Sequence, residues 1–148
     1  MSGVAEKKLK IIRIIARLNV GGPARHVVWL TDALNDTNYS SVLIAGSVPE
    51  GEEDMSYFAR QHGVEPIYIE EMSRELSPKD IVSLWKVFKT IWREKPDIIH
   101  THTAKAGTIG RAAGLAYKLL SFRKVVLIHT YHGHIFHSYY GAAKTKLF

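Results

Sequence analysis

The stretch KIIRIIARLNVGGPARHVVWLTDAL, residues 10–34, decides the fold. Residues 10–17 are rich in isoleucine and read as a strand with no solvent face. The glycine pair Gly21–Gly22 follows, and glycine is the residue that lets a backbone turn tightly or approach a ligand. Pro23 then occupies the favoured first turn of a helix. Ala24, Val27, Val28, Thr31 and Leu34 recur at helical spacing along one face. A strand, a glycine turn and a helix are the first half of a βαβ unit.

The same alternation continues to residue 130. Residues 41–45 (SVLIA), 66–69, 97–101 (DIIHT) and 124–130 (KVVLIHT) read as four more strands. A polar turn spans residues 46–54, and a short helix spans 55–62 with Gly63 at its stop. Ser77 followed by Pro78 reads as a helix cap, with Asp80 near the positive end. Ile81, Leu84, Trp85, Phe88, Ile91 and Trp92 then keep a 3–4–3 spacing and are expected to form the buried face. Residues 105–120 read as a helix whose Ile109, Ala112, Ala113, Ala116, Leu119 and Leu120 share a face. Its Gly107, Gly110 and Gly114 permit close approach to a sheet. Apolar strands joined by helices imply a parallel sheet covered on both faces. The expected fold is therefore α/β, a Rossmann-like doubly wound parallel sheet of order 3-2-1-4-5. It forms one domain over residues 1–148.

Composition narrows the function. The chain of 148 residues is 46% hydrophobic and 23% charged, as in ordinary globular proteins, with a net charge of +6. No cysteine is present, which excludes thiolate catalysis and thiolate metal sites and fits a cytoplasmic protein. No apolar run reaches the roughly 18 residues that span a bilayer. The positive charge serves solubility or attracts anions such as nucleotide diphosphates or lipid headgroups. No basic block is dense enough to indicate nucleic acid.

In an open parallel sheet, ligands bind beyond the carboxyl ends of the strands, where the strand order reverses. Three unusual segments occupy such ends: residues 19–22 after the first strand, 100–103 after the fourth, and 129–134 after the fifth. The helix opened by Pro23 aims its amides and dipole at the glycine pair, which favours an anion there. A nicotinamide cofactor is disfavoured, because the G-x-G-x-x-G spacing is missing and no acidic residue follows the second strand. Neither a phosphate-binding G-x-x-x-x-G-K-[ST] loop nor a G-x-S-x-G nucleophile elbow occurs. Six histidines lie between His100 and His137. His100 and His102 share a strand face, as do His132 and His134 if the strand extends, so a zinc site is one alternative. The lack of cysteine, and of any acid after Asp97, argues against it. His100 and His129, within strands, are expected to be structural, and His102 and His132, at strand ends, to face a cleft. A stand-alone flavodoxin-like binding module is a further alternative.

Three segments together carry a family resemblance: RIIARLNVGGPARHVVWLTDAL at residues 13–34, PDIIHTHTAKAGTIGRAAG at 96–114, and HTYHGHIFHSYYG at 129–141. In this order and spacing the chain resembles the N-terminal domain of group-1 (family 4) GT-B glycosyltransferases. The resemblance implies two Rossmann-like domains facing each other across a cleft, with the acceptor mainly on the N-terminal one. It implies transfer from a nucleotide-diphosphate sugar to a carbohydrate or lipid-linked acceptor, with retention and with no cofactor or metal. Peripheral contact with the inner face of a membrane is compatible with such an acceptor. Carried over by position, Gly21 and Gly22 would approach the donor diphosphate and sugar, and His132 would act at the reacting centre. His102, Thr103, Lys105 and Arg25 would serve the acceptor side. The basic residue and paired glutamates of the family's donor-binding half would lie beyond residue 148. The 148 residues are therefore expected to be an inactive half that self-associates through apolar residues near Ile135, Phe136, Tyr139 and Tyr140.

Overall fold

The computed structural model describes residues 7–73 and 77–133. Ile135, Phe136, Tyr139, Tyr140, His134 and His137 lie outside them. Five strands form one sheet: β1 (Leu9–Ile15), β2 (Tyr39–Gly46), β3 (Ile67–Ile69), β4 (Ile98–His102) and β5 (Val126–Thr130). Their order is β3-β2-β1-β4-β5 and every pairing is parallel. Four helices connect them: α1 (Gly22–Ala33), α2 (Ser56–Gln61), α3 (Asp80–Glu94) and α4 (Ala104–Ser121). The expected Rossmann-like doubly wound order is the one observed.

Alternation along β1 builds two cores. Ile12 and Ile14 point to the α3–α4 side and pack with Val87, Ile91, Ile109 and Tyr117. Ile15 points to the other side and packs with Val27, Val28 and Leu43 beneath α1 and α2. Each fully buried isoleucine contributes up to about 2 kcal/mol. Arg13, on the α1 side, is also buried. Its Nη1 donates to Ser41 Oγ at 2.9 Å, and that hydroxyl donates to the Leu34 carbonyl at the end of α1. Burial lowers the Arg13 pKa to about 10.

Two expectations about α3 are corrected. The helix begins at Asp80, and Ser77 does not cap it. Ser77 Oγ accepts from Lys79 N, while Asp80 Oδ2 accepts from Ser77 N, so the two residues close a turn ahead of the helix. The buried face is Ser83, Val87, Thr90 and Ile91; of the expected stripe Ile91 is buried and Phe88 half-buried against the core, while Ile81, Leu84, Trp85 and Trp92 are exposed. Ile81 is 75% exposed and Trp85 61%. The buried hydroxyls cost little, because Ser83 donates to the Lys79 carbonyl and Thr90 to the Lys86 carbonyl within their own helix. On α4 the expected Ile109 and Ala113 are buried, together with Gly107, Gly110, Gly114 and Tyr117, while Leu119 and Leu120 lie outside.

Gly46 closes the β2 edge. A Cβ there would lie 2.0 Å from the Met72 carbonyl oxygen and 2.2 Å from that of Ala16. At Gly22 a Cβ would meet nothing within 4 Å. Gly46→Ala is expected to cost about 3 kcal/mol, since backbone on two sides must move. Gly22→Ala should stay within about 0.5 kcal/mol of the parent. Chemical denaturation of the two variants checks this contrast.

Candidate active site

The carboxyl ends of three strands form one row. Ile15 of β1 is in register with His102 of β4, and His102 with Thr130 of β5. The segments that follow these ends converge on the same edge of the sheet.

The β1–α1 loop is fixed by its neighbours. Asn19 bridges Asp54, Val20 N donates to the Glu53 carbonyl, and Met55 N donates to the Leu18 carbonyl at 2.7 Å. Arg17 Nε lies 2.7 Å from Glu52 Oε2. At the loop's end Gly21 has φ 156° and ψ 171°, a region that side chains essentially forbid. Gly22 opens α1 and is exposed, with the helix amides behind it. Arg25 is exposed on the same first turn.

The β4–α4 connection is a single residue, Thr103. It adopts φ 67° and ψ 161°, a conformation costing a non-glycine residue about 1–3 kcal/mol. Its Oγ1 is buried and has no hydrogen-bond partner among the described residues. Backbone strain and an unpaired hydroxyl at the head of a helix mark Thr103 as the most constrained residue of the rim.

Histidines fill the space between these loops. His102 Nδ1 is hydrogen-bonded to His132 Nε2 at 3.0 Å, and the two rings are stacked. His26, on the first turns of α1, meets the His132 ring edge-on at 5.3 Å and lies 5.9 Å from His102. His100 stands 4.1 Å from His102 and bonds Thr130 Oγ1 through Nε2. His129 lies on the opposite face of the sheet under Gly107, with Nδ1 bonded to Thr101 Oγ1. Burial, reinforced by neighbouring positive charge, holds the rings of His100, His102, His129 and His132 neutral. The His100 pKa falls to about 4 and that of His102 to about 2, and those of His129 and His132 are also lowered. Among the described residues, no group of three His, Asp or Glu side chains is arranged to hold a metal ion.

Two sequence expectations are corrected. His102 does not line a surface: it is fully buried, with His132 hydrogen-bonded to its Nδ1 and His26 beside its ring. Lys105 is not a ligand contact: it is 3% exposed, and its Nζ lies 2.6 Å from Asp80 Oδ1 at the start of α3. That ion pair braces α4 against α3. His26 was missed. The signal was present in the sequence, because residues 22 and 26 lie one turn apart and share a helix face.

The fold and rim together define a Rossmann-like α/β domain with a candidate ligand site at the carboxyl edge of its sheet. The fold is shared with UDP-GlcNAc 2-epimerases of Methanocaldococcus jannaschii (TM-score 0.59, 16% identity, 82% of this chain and 31% of that chain). It is shared equally with the enzyme of Neisseria meningitidis (TM-score 0.59, 13% identity, 94% of this chain and 37% of that chain). The model of Glycosyltransferase Family 4 matches residues 20–148, and the chain belongs to that family. A relative from Escherichia coli, a UDP-Gal:alpha-D-GlcNAc-diphosphoundecaprenol alpha-1,3-galactosyltransferase, is 38% identical over 76 residues. The match covers 51% of this chain and 18% of that enzyme. Among the described residues, no helix is long and apolar enough to cross a membrane.

Neutral buried imidazoles make stability pH-dependent. The unfolded chain binds protons near the ordinary histidine pKa and the folded chain does not, so stability is lost as pH falls through that range. The melting temperature is expected to drop between about pH 6.5 and about pH 4.5, before the carboxylates titrate. His100→Gln, which can still bond Thr130, should flatten that drop in a calorimetric pH series. Thr103→Gly should raise stability by about 1 kcal/mol by relieving the strained φ.

Proposed function

We propose that the chain is the acceptor-side half of a retaining glycosyltransferase that moves a sugar from a nucleotide-diphosphate donor to a carbohydrate or lipid-linked acceptor. The observation that carries this reading is the shared rim: the Gly21–Gly22 loop, Thr103 and His132 all follow strand ends that stand in one register row.

Each part has a chemical task. The glycine pair and the amides of α1 accept the negative charge of a diphosphate without a side chain in the way. His132, neutral and held by His102, supplies a hydrogen bond to the transferred sugar beside the reacting carbon. Thr103, at the head of α4, and exposed Arg25 serve the acceptor. The donor's nucleotide and most of its diphosphate are held by a second domain, which supplies the positive charge that stabilises the leaving group. No resident cofactor or metal is required. The protein works in the cytoplasm, at the inner face of a membrane when the acceptor is lipid-linked. The absence of cysteine suits that reducing compartment.

The test uses a polypeptide carrying both domains. His132→Ala is expected to lower kcat by about 100-fold or more, the usual cost of losing a placed hydrogen bond at a reacting centre. Gly22→Ala should raise the KM for the donor while leaving the melting temperature unchanged. The product's anomeric configuration, read by NMR, should match that of the donor. An inverted product, or full activity without His132, would refute the reading.

A further inference from the structure

We infer that His26 is a donor-binding residue: its imidazole reaches over Gly22 and hydrogen-bonds a phosphoryl oxygen of the sugar nucleotide. The inference rests on the reading of the Gly21–Gly22 loop as the diphosphate site. The motivating observation is an uncommitted imidazole at an open edge. His100 bonds Thr130 Oγ1, His102 bonds His132, and His129 bonds Thr101 Oγ1. His26 has ring contacts but no hydrogen bond among the described residues, lying edge-on to His132 at 5.3 Å and tilted towards His102 at 5.9 Å. It is also exposed, while His132 is half-buried and His102 fully buried. An exposed ring whose nitrogens have no internal partner is available to a ligand.

Helix geometry aims the ring. A helical side chain leans towards the N-terminus and covers the turn before its own Cα. For His26 that turn starts at Gly22, which is exposed and has no side chain to block the approach. α1 carries no side-chain cap and no acid in its first turn, so no side chain of the helix takes up the amides at that end. An anion seated there meets amide donors from the backbone and an imidazole donor from one turn further on. Imidazole carries at least one N–H in either charge state. Hydrogen bonds to an ionised oxygen are stronger than neutral ones. The edge-on contact ties this donor to His132, so the two rings address adjacent groups of one ligand. His26 takes the phosphate and His132 the sugar attached to it. A packing role for His26 would need only the shape of its ring, whereas the donor role needs its N–H.

Two measurements test this. The first is donor kinetics of a polypeptide carrying both domains. His26→Phe keeps an aromatic ring against His132 and removes the donor. It should raise the KM for the donor about ten-fold, the loss of one hydrogen bond to a charged acceptor. The acceptor KM and the melting temperature should stay at the parental values. His26→Gln loses the ring but keeps an N–H donor, and it should recover most of the loss. A parental donor KM in His26→Phe assigns the ring to packing and overturns the inference. The second measurement needs no transfer. The 148-residue chain, isotope-labelled in backbone and histidine rings, is titrated with inorganic pyrophosphate at constant pH and followed by NMR. The Gly22 amide and the His26 ring signals should shift together with one midpoint. The ring of His129, on the opposite face of the sheet, should stay in place. A shift at Gly22 with none at His26 overturns the inference while leaving the glycine loop as the diphosphate site. No shift at either residue overturns both.

Discussion

The approach of α4 to the sheet governs both ends of this domain. Gly107, Gly110 and Gly114 let the helix sit so close that a Cβ on any of them would come within 2.5–2.7 Å of His129, Thr101 or Leu127. A helix that close to β4 leaves no room for a loop, so β4 ends at His102 and α4 begins at Ala104. Thr103 alone makes the reversal, and it takes a positive φ to do so. Strain at the rim is thus the local consequence of glycine packing along the whole length of the helix. The same packing seats His129 under Gly107 and hydrogen-bonds it to Thr101. This histidine belongs to the framework.

That packing also explains where the sequence misleads. Periodicity identifies apolar stripes, and the larger side chains are assumed to face inward. In α4 the face against the sheet carries Gly107, Gly110 and Gly114, because the sheet is too near for a larger side chain there, and Ile109, Ala113 and Tyr117 fill the core beside them. In α3 the inward face includes Ser83 and Thr90, whose hydroxyls are satisfied by their own helix. Small and self-satisfied residues share the interior with Val87, Ile91, Ile109 and Tyr117, and Ile81, Trp85, Leu119 and Leu120 lie outside. The strand pattern has no such ambiguity. β1 and β4 are buried over most of their length and β2 over its second half, so the run of isoleucines and valines is itself the signal. The doubly wound order was legible from that signal together with the helical intervals.

The site was legible to the extent that topology alone places it. Once β1, β4 and β5 are neighbours, the segments after them must share an edge, whatever the side chains do. Orientation within that edge depends on contacts distant in sequence. Lys105 looks like an exposed cation in a first helical turn until Asp80, at the head of a separate helix, is brought within 2.6 Å of it. His102 looks like a strand-end residue until His26 and His132 pack over its ring. No local pattern encodes either event. The spacing between Gly22 and His26 was readable, but its meaning depends on the rings of β4 and the segment after β5.

Burial of His102 has a consequence for His132. Its Nδ1 is bonded to His132 Nε2, and its Nε2 is buried with no partner among the described residues. A buried N–H without an acceptor is the costlier orphan, and a bare ring nitrogen the cheaper one. The favoured tautomer of His102 therefore carries its proton on Nδ1 and donates it to His132 Nε2. His132, neutral because burial lowers its pKa, must then hold its own proton on Nδ1. The remaining ring nitrogen of His132 is then a donor. A neutral donor suits a sugar hydroxyl or a developing negative charge, and it does so without bringing a counter-charge into the cleft. The imidazole pair thus converts a buried, solvent-excluded histidine into control over which group its partner presents.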